Sequence, residues 1–364
     1  MRNILTLSFI ALSAFFMASA QPTFTLNPKY QARELRASAA VKANLSTMRV
    51  QIQQQNLQYT VGFTAALERN PSVLYGEMEP NISTAQKLEI NNKAQQALQV
   101  DRQYLAAYMQ KNPSYKIPQL NCSASLTKWD WRTKGKVSPV KDQGGCGSCW
   151  AFAAYGAYES AYLMRNSKTV DGSEQDLLNC GVATNGEDAG SCSGGLSEKA
   201  LQFLTNQGGV SESKVPYVGM NQGCSAQSSR PYDALAWGFV NPNVEIPSVS
   251  QLKEALCEYG ALAVSMRVVS GNFSAYTSGV YNETVNSPSD GGGHAVTLIG
   301  WDDDKQAWLI KNSWGTDWGY DGYGWLKYGS NRIGRNARWV RAKSQLYLIP
   351  LAALPKLTII QGMN

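Results

Sequence analysis

The stretch QGGCGSCW, residues 143–150, sets Cys146 and Cys149 three positions apart. Such a pair describes a redox dithiol, half of a zinc site, or one arm of a structural disulfide beside a reactive thiol. A thioredoxin-like dithiol usually carries tryptophan before its first cysteine and lies in a βαβ unit. Here Trp150 follows the second cysteine, and no such unit is legible. A zinc site needs a closed ligand set, and one histidine with scattered cysteines offers no second pair at zinc spacing. No metal or cofactor is therefore expected. The third reading fits the count, because seven cysteines cannot all pair within one chain and one is left over.

The N-terminus, MRNILTLSFIALSAFFMASA, places Arg2 before an apolar run from Ile4 to Met17 and the small residues Ala18-Ser19-Ala20. It reads as a signal peptide over 1–20, since the run is shorter than the roughly 20 residues a membrane span needs. No later run is long enough, so no membrane span is expected. Export leads to secretion or to the lumen of an acidic or oxidising compartment, where cysteines pair. At 364 residues, 43% hydrophobic and 16% charged, the chain is long enough for more than one globular unit. Its net charge of +6 comes from scattered basic residues not interleaved with aromatics, which argues against a nucleic-acid partner.

Composition marks a boundary. All seven cysteines and all ten tryptophans fall at or after Cys122. Before it, Val41, Leu45, Met48 and Ile52 recur at helical spacing, and a second helical run begins after Ser83 and stops before Asn112-Pro113. Past it, a helix is expected from about Ser148 to Arg165, with Ala153, Ala154, Ala157 and Ala161 allowing close packing. Beyond about Trp237 the segments ALAVSMRVV, AVTLIGW, AWLIKNSW and YGWLKYG read as strands.

His294 is the only histidine. The polar cluster Asp302-Asp303-Asp304-Lys305 reads as a hairpin turn, which would set His294 about opposite Asn312, with Cβ atoms roughly 5 Å apart. The asparagine carbonyl would then accept from one ring nitrogen and leave the other free. Cys149 falls at the start of the expected helix, where unpaired N–H groups and the macrodipole favour a thiolate, the nucleophilic form.

QGGCGSCWAF, GGHAV and NSWGTDWG together resemble the active-site blocks of the papain family of cysteine proteases, over about residues 125–340. His294 and Asn312 follow Cys149 by 145 and 163 residues, close to the spacing usual in that family. The resemblance implies an α+β, papain-like two-domain fold: a helical left domain over 122–235 and a β-barrel-like right domain over 236–342. A helical prosegment over 21–121 would precede it and act as its own inhibitor, and a C-terminal extension over 343–364 would follow. The implied activity is that of a secreted endopeptidase made as a precursor, expected to be a monomer and acting on protein or peptide substrates. Cys149 would attack the peptide carbonyl, His294 would hold and deliver the proton, and Asn312 would orient His294. The Gln143 amide and the Cys149 N–H would form the oxyanion hole. Gly194 and Gly195 would pair with an extended substrate, and Trp314 would shield the His–Asn bond. The resemblance also implies bridges Cys146–Cys192 and Cys180–Cys224, leaving Cys122 with Cys257. The rival reading is a non-catalytic papain-like binding protein with an accessory helical domain.

Two features depart from the family pattern. Gly293 stands where many relatives carry Asp or Asn. The N-terminal segment lacks the common Glu-Arg-Phe-Asn-Ile-Asn helix pattern and also lacks histidine. If this segment senses acid, the sensing groups must be carboxylates: Glu34, Glu68, Glu77, Glu79, Glu89 and Asp101.

Overall fold

The computed structural model describes residues 26–115, 120–181 and 188–348. The expected signal peptide, residues 116–119 and 182–187, and most of the C-terminal extension lie outside the described residues.

Three longer helices open the chain: α1 (Pro28–Arg36), α2 (Ala39–Gln54) and α3 (Thr84–Lys111). Ser38 caps α2, and Ser83 with Gln86 forms a reciprocal capping box on α3. The expected stripe on α2 buries Leu45, Met48 and Ile52. Between α2 and α3, however, no long helix forms. The segment makes the strand β1 (Tyr59–Val61), short helical turns at Ala66–Glu68 and Pro71–Leu74, and then an extended run.

The rest of the chain contributes β2 (Lys128–Asp130), α4 (Cys149–Asn166), β3 (Ala234–Phe239), β4 (Leu262–Val268) and β5 (Tyr276–Tyr281). β6 (Gly292–Asp302), β7 (Ala307–Lys311), β8 (Tyr323–Lys327) and β9 (Arg335–Ala342) follow. These strands and β1 form one sheet in the order β1-β5-β8-β7-β6-β4-β9-β3, with β2 paired onto β6. The β-rich half is thus an open sheet among the described residues and not a closed barrel. Both of its edges meet the N-terminal segment. β1 adds antiparallel to β5 through Tyr59 and Gly279. On the other edge, the Asn91 side chain of α3 both donates to the Phe239 carbonyl and accepts from the Phe239 N–H of β3, at 2.8 Å each. A sheet edge left bare would expose unpaired main-chain groups; here the N-terminal segment pairs with part of each edge.

α4 is buried from Cys149 to Leu163 and lies against the sheet. Its approach is set by Gly156, where a Cβ would lie 2.2 Å from Thr297 Oγ1 of β6. A buried polar chain reinforces the contact. Glu159 of α4 accepts from Ser138 and from Lys141 Nζ, and Lys311 Nζ of β7 donates to Ser138 Oγ at 2.8 Å.

The disulfides are Cys122–Cys257, Cys146–Cys192 and Cys180–Cys224, and Cys149 is free. Cys122–Cys257 ties the chain just before β2 to the helix Val249–Tyr259. Replacing both of its cysteines by serine should cost about 2–5 kcal/mol. Denaturant unfolding of the precursor reads this, and an unchanged midpoint would mean that the bridge stabilises nothing.

Candidate active site

Cys149 is the first residue of α4, and its N-cap residue, Ser148, makes no side-chain cap. The Ser148 hydroxyl is instead hydrogen-bonded with Tyr217 Oη at 2.7 Å. The N–H groups that open the helix are thus not taken up by the capping side chain. Cys149 Sγ accepts from the Ala295 N–H at 3.5 Å, which places it against β6 next to His294.

His294 is fully buried, and its Nε2 is 2.9 Å from Asn312 Oδ1. Nδ1 is buried and makes no close hydrogen bond, although the Leu74 carbonyl acts on the ring. The two residues meet, although not by the simple hairpin register. Asp302 pairs with Ala307, and past an irregularity near Ile299, Thr297 pairs with Lys311. Extended further, that register sets Trp314 opposite His294. β7 ends at Lys311, and the Asn312 side chain turns back to the ring. Trp314 stacks on the imidazole with centroids 4.7 Å apart, and both are wholly buried.

Gln143 is held by the same loop. Its Oε1 accepts from Ser313 Oγ at 2.7 Å and from Trp314 Nε1 at 3.2 Å. This fixes the amide nitrogen, which donates to the Cys146 carbonyl at 3.0 Å and to the Val73 carbonyl at 2.9 Å.

Val73 belongs to the N-terminal segment, which crosses the site from there onward. Gly195 donates its N–H to the Gly76 carbonyl and accepts from the Met78 N–H, both at 2.8 Å, in a parallel bridge. On the opposite wall, the Glu77 N–H donates to the Gly293 carbonyl at 3.0 Å. Gly194 lies beside the crossing, where a Cβ would stand 3.0 Å from the Gly76 carbonyl oxygen. The crossing leaves no room for larger residues at two points. A Cβ on Gly76 would fall 1.9 Å from the Gly147 carbonyl oxygen, and one on Gly293 would fall 2.1 Å from that of Glu77. Gly293, the departure from the family pattern, is thus required by this contact.

Burial under the crossing chain controls the electrostatics. Loss of water, with a smaller contribution from the Glu77 carboxylate, pushes the Cys149 thiol up to about 12 despite its helix position. Burial likewise drives His294 down to about 4, against weaker opposition from Asn312 and the Leu74 carbonyl. Burial under this segment thus favours the neutral thiol and the neutral imidazole.

Two carboxylates of the crossing segment respond to pH with opposite signs. Glu79 is hydrogen-bonded by Arg335 and lies 3.1 Å from Arg267, which holds it below the usual carboxylate range. Its hold is present above the unfolded value of roughly 4 and is lost as pH falls through the lower folded value. Glu77 is wholly enclosed, and burial raises it against the pull of Arg338. Its contribution is full below the unfolded value and is lost as pH rises through the folded one. Glu89 is lowered by Lys93, but the two are exposed neighbours on α3. Glu34 pairs with Arg49 and Asp101 with Arg165.

The sequence reading missed Val73, Gly76 and Glu77, and with them Ser197, Glu198, Ser265 and Arg338, which surround the Glu77 carboxylate. Glu77 was named there only as a possible acid sensor. The Gly76-Glu77 pair is a weak signal in hindsight, and nothing in the strand sequence distinguishes Arg338 from an exposed arginine.

The papain family cysteine protease model matches residues 126–342. "Digestive cysteine proteinase 1" of Homarus americanus is 34% identical over 76% of this chain and 81% of its own length. "Cysteine proteinase 2" of Zea mays is 37% identical over 59% of this chain, but only 62% of its own length is covered. Among solved structures, digestive procathepsin L2 of Tenebrio molitor larval midgut superposes with a TM-score of 0.64 at 25% identity, covering 87% of this chain and 95% of its own. Procathepsin L 3 of the same source gives 0.63 at 22%, over 86% and 93%, a likeness of fold alone. The fold and the family match define a cysteine-type peptidase made as a precursor. The chain belongs to the papain family of cysteine proteases.

Two measurements test the electrostatics. Between pH 6 and 7 iodoacetamide should alkylate Cys149 in the precursor about tenfold or more slowly than in the processed form, because thiolate is the reactive species. Equal rates would show that burial by the crossing segment does not control the thiol. Glu79→Gln should move the onset of precursor processing to higher pH than in the wild type, which should itself switch on below about pH 5. An unchanged onset would remove Glu79 as the acid-sensitive hold.

Proposed function

We propose that this chain is a secreted cysteine endopeptidase in which Cys149, His294, Asn312 and Gln143 carry the chemistry and the segment before Cys122 is an inhibitory prosegment. The observation that carries the reading is the division of the imidazole. Asn312 occupies Nε2 and leaves Nδ1 without a close partner, while Cys149 Sγ lies against the N–H of Ala295, the residue after His294. With the prosegment gone and water admitted, the thiol would fall and the imidazole rise toward an ion pair, favoured further by the helix start. Cys149 Sγ then attacks the peptide carbonyl, and His294 transfers the proton to the leaving amine as the C–N bond breaks. Water, activated by His294, hydrolyses the thioester and returns the enzyme.

The Gln143 amide supports an oxyanion role, because in the precursor it already donates to a carbonyl, that of Val73. The Cys149 N–H is the proposed second donor. Gly194 and Gly195 are proposed to pair with substrate as they border the prosegment chain. Trp314 covers the imidazole and also fixes Gln143. Left and right domains over 122–235 and 236–342 remain the proposed division, although β2 lies in the sheet of the second. The signal-like N-terminus and the three bridges support secretion. Among the described residues no helix is long and apolar enough to cross a membrane. The processed enzyme is proposed to act as a monomer.

Cys149→Ala should abolish peptide hydrolysis by the processed enzyme, and His294→Ala should lower kcat/KM by about 10²–10⁴-fold or more. Asn312→Ala should cost less, since it orients and does not react. Turnover by Cys149→Ala equal to wild type would end the peptidase reading. The maturation cut is expected between Lys116 and Ser125, before Cys122. N-terminal sequencing that finds the active form starting at Gln21 would show that the segment is not removed.

A further inference from the structure

The Glu77 side chain leaves the cleft for a closed polar pocket. One carboxylate oxygen accepts from Ser265 Oγ at 2.8 Å and from Arg338 Nη2 at 3.0 Å; the other accepts from Ser197 Oγ at 2.9 Å. Arg338 Nη1 also donates to Ser265 Oγ at 3.1 Å, so the hydroxyl passes its own proton toward Glu77. Glu198 lies 2.5 Å from Arg338 Nη2. Glu77, Ser197, Glu198, Ser265 and Arg338 are all buried, Arg338 completely.

The mature part of the chain supplies every group in this pocket except Glu77. Ser197 and Glu198 follow directly from Gly194-Gly195 at the start of the helix Ser197–Asn206. Ser265 lies on β4 and pairs with Ala295, the residue after His294. Arg338 stands on β9, on the far side of β4. The pocket therefore adjoins the catalytic centre on the side bounded by Gly195 and Gly293. The Gly76 N–H faces the Cys149 thiol, and Glu77 is the next residue along.

Resting on the peptidase reading above, we propose that this pocket sets the specificity of the enzyme, selecting an acidic substrate side chain, glutamate above all, at the residue preceding the one whose carbonyl is attacked. Removal of the prosegment takes away Glu77 and leaves three donors aimed at one vacated carboxylate position. An apolar side chain there would bury the serine hydroxyls and the guanidinium with lost partners, which polar sites penalise heavily. Glutamine offers one acceptor oxygen in place of two and turns an NH2 group toward donors. An arginine or lysine would meet the Arg338 guanidinium. Glu198 keeps the empty pocket from holding an uncompensated buried cation, and Arg338 Nε has no hydrogen-bond partner to spend elsewhere.

The test uses the processed enzyme and four fluorogenic peptides that differ only at this position, carrying Glu, Gln, Leu or Arg. Glu should give a kcat/KM about tenfold or more above Leu, with Gln between them and Arg lowest. Arg338→Met should erase the Glu-over-Leu ratio. Ser265→Ala, a smaller change should the arginine variant not fold, should reduce it. A wild-type enzyme that cleaves the Leu or Arg peptide better than the Glu peptide overturns the pocket assignment alone. Cleavage of none of the four, with no selective alkylation of Cys149, removes the peptidase reading and the proposal with it.

Discussion

The contact between Gly156 of α4 and Thr297 of β6 is the constraint from which the site follows. A helix resting on a strand at this distance needs a residue without a side chain at the point of contact, and the alanines around it keep the rest of the face shallow. Seven residues before Gly156 stands Cys149, and three residues before Thr297 stands His294. The cysteine at the helix start thus faces the main chain beside the histidine. The polar chain through Glu159, Ser138 and Lys311 ties the same helix to β7, one residue before Asn312. A shift of helix against sheet would disturb the cysteine, the histidine and the asparagine together.

The prosegment is joined to this frame as part of its architecture. It completes one edge of the sheet with β1, caps the other through Asn91, and passes between Gly195 and Gly293 over the thiol. On the proposed reading, inhibition has two physical components. The crossing chain occupies the Gly195 and Gly293 main-chain groups and the Gln143 donor that are proposed to meet a substrate. It also removes water from Cys149 and His294, and burial favours the neutral form of each. On that reading, the charged pair is disfavoured by the same atoms that cover the site. Its two central carboxylates oppose one another in their response to acid, because Glu79 is held by cations at the cleft rim while Glu77 is enclosed beside another carboxylate, Glu198.

Much of this was legible in the chain. The helices of the N-terminal segment, α4 from its start at Cys149, and the strands that carry His294 and the segment before Asn312 follow from periodicity and capping residues. The symmetric hairpin estimate brought His294 to Asn312 through a register that the ladder does not keep. The irregularity near Ile299 and the four-residue turn after Asp302 shift the pairing, and the asparagine reaches the ring from beyond the end of β7. A bulge leaves no dependable trace in one sequence, since it depends on how neighbouring strands pack.

The sequence by itself determined that one cysteine is left over, the single histidine and the motif blocks that identify the family, because these depend on residue type and local spacing. Tertiary structure alone decided what surrounds them. The β-rich half is an open sheet because segments distant in sequence cover its edges. Arg338, Ser265 and Ser197 meet one carboxylate although they come from β9, β4 and a helix start. Burial favours the neutral thiol and the neutral imidazole because a segment about 70 residues before the cysteine and about 220 before the histidine excludes water from them. Periodicity reports which face of an element is buried, whereas the partner on that face, and so the dielectric and charge that each group experiences, is fixed only when distant segments pack together.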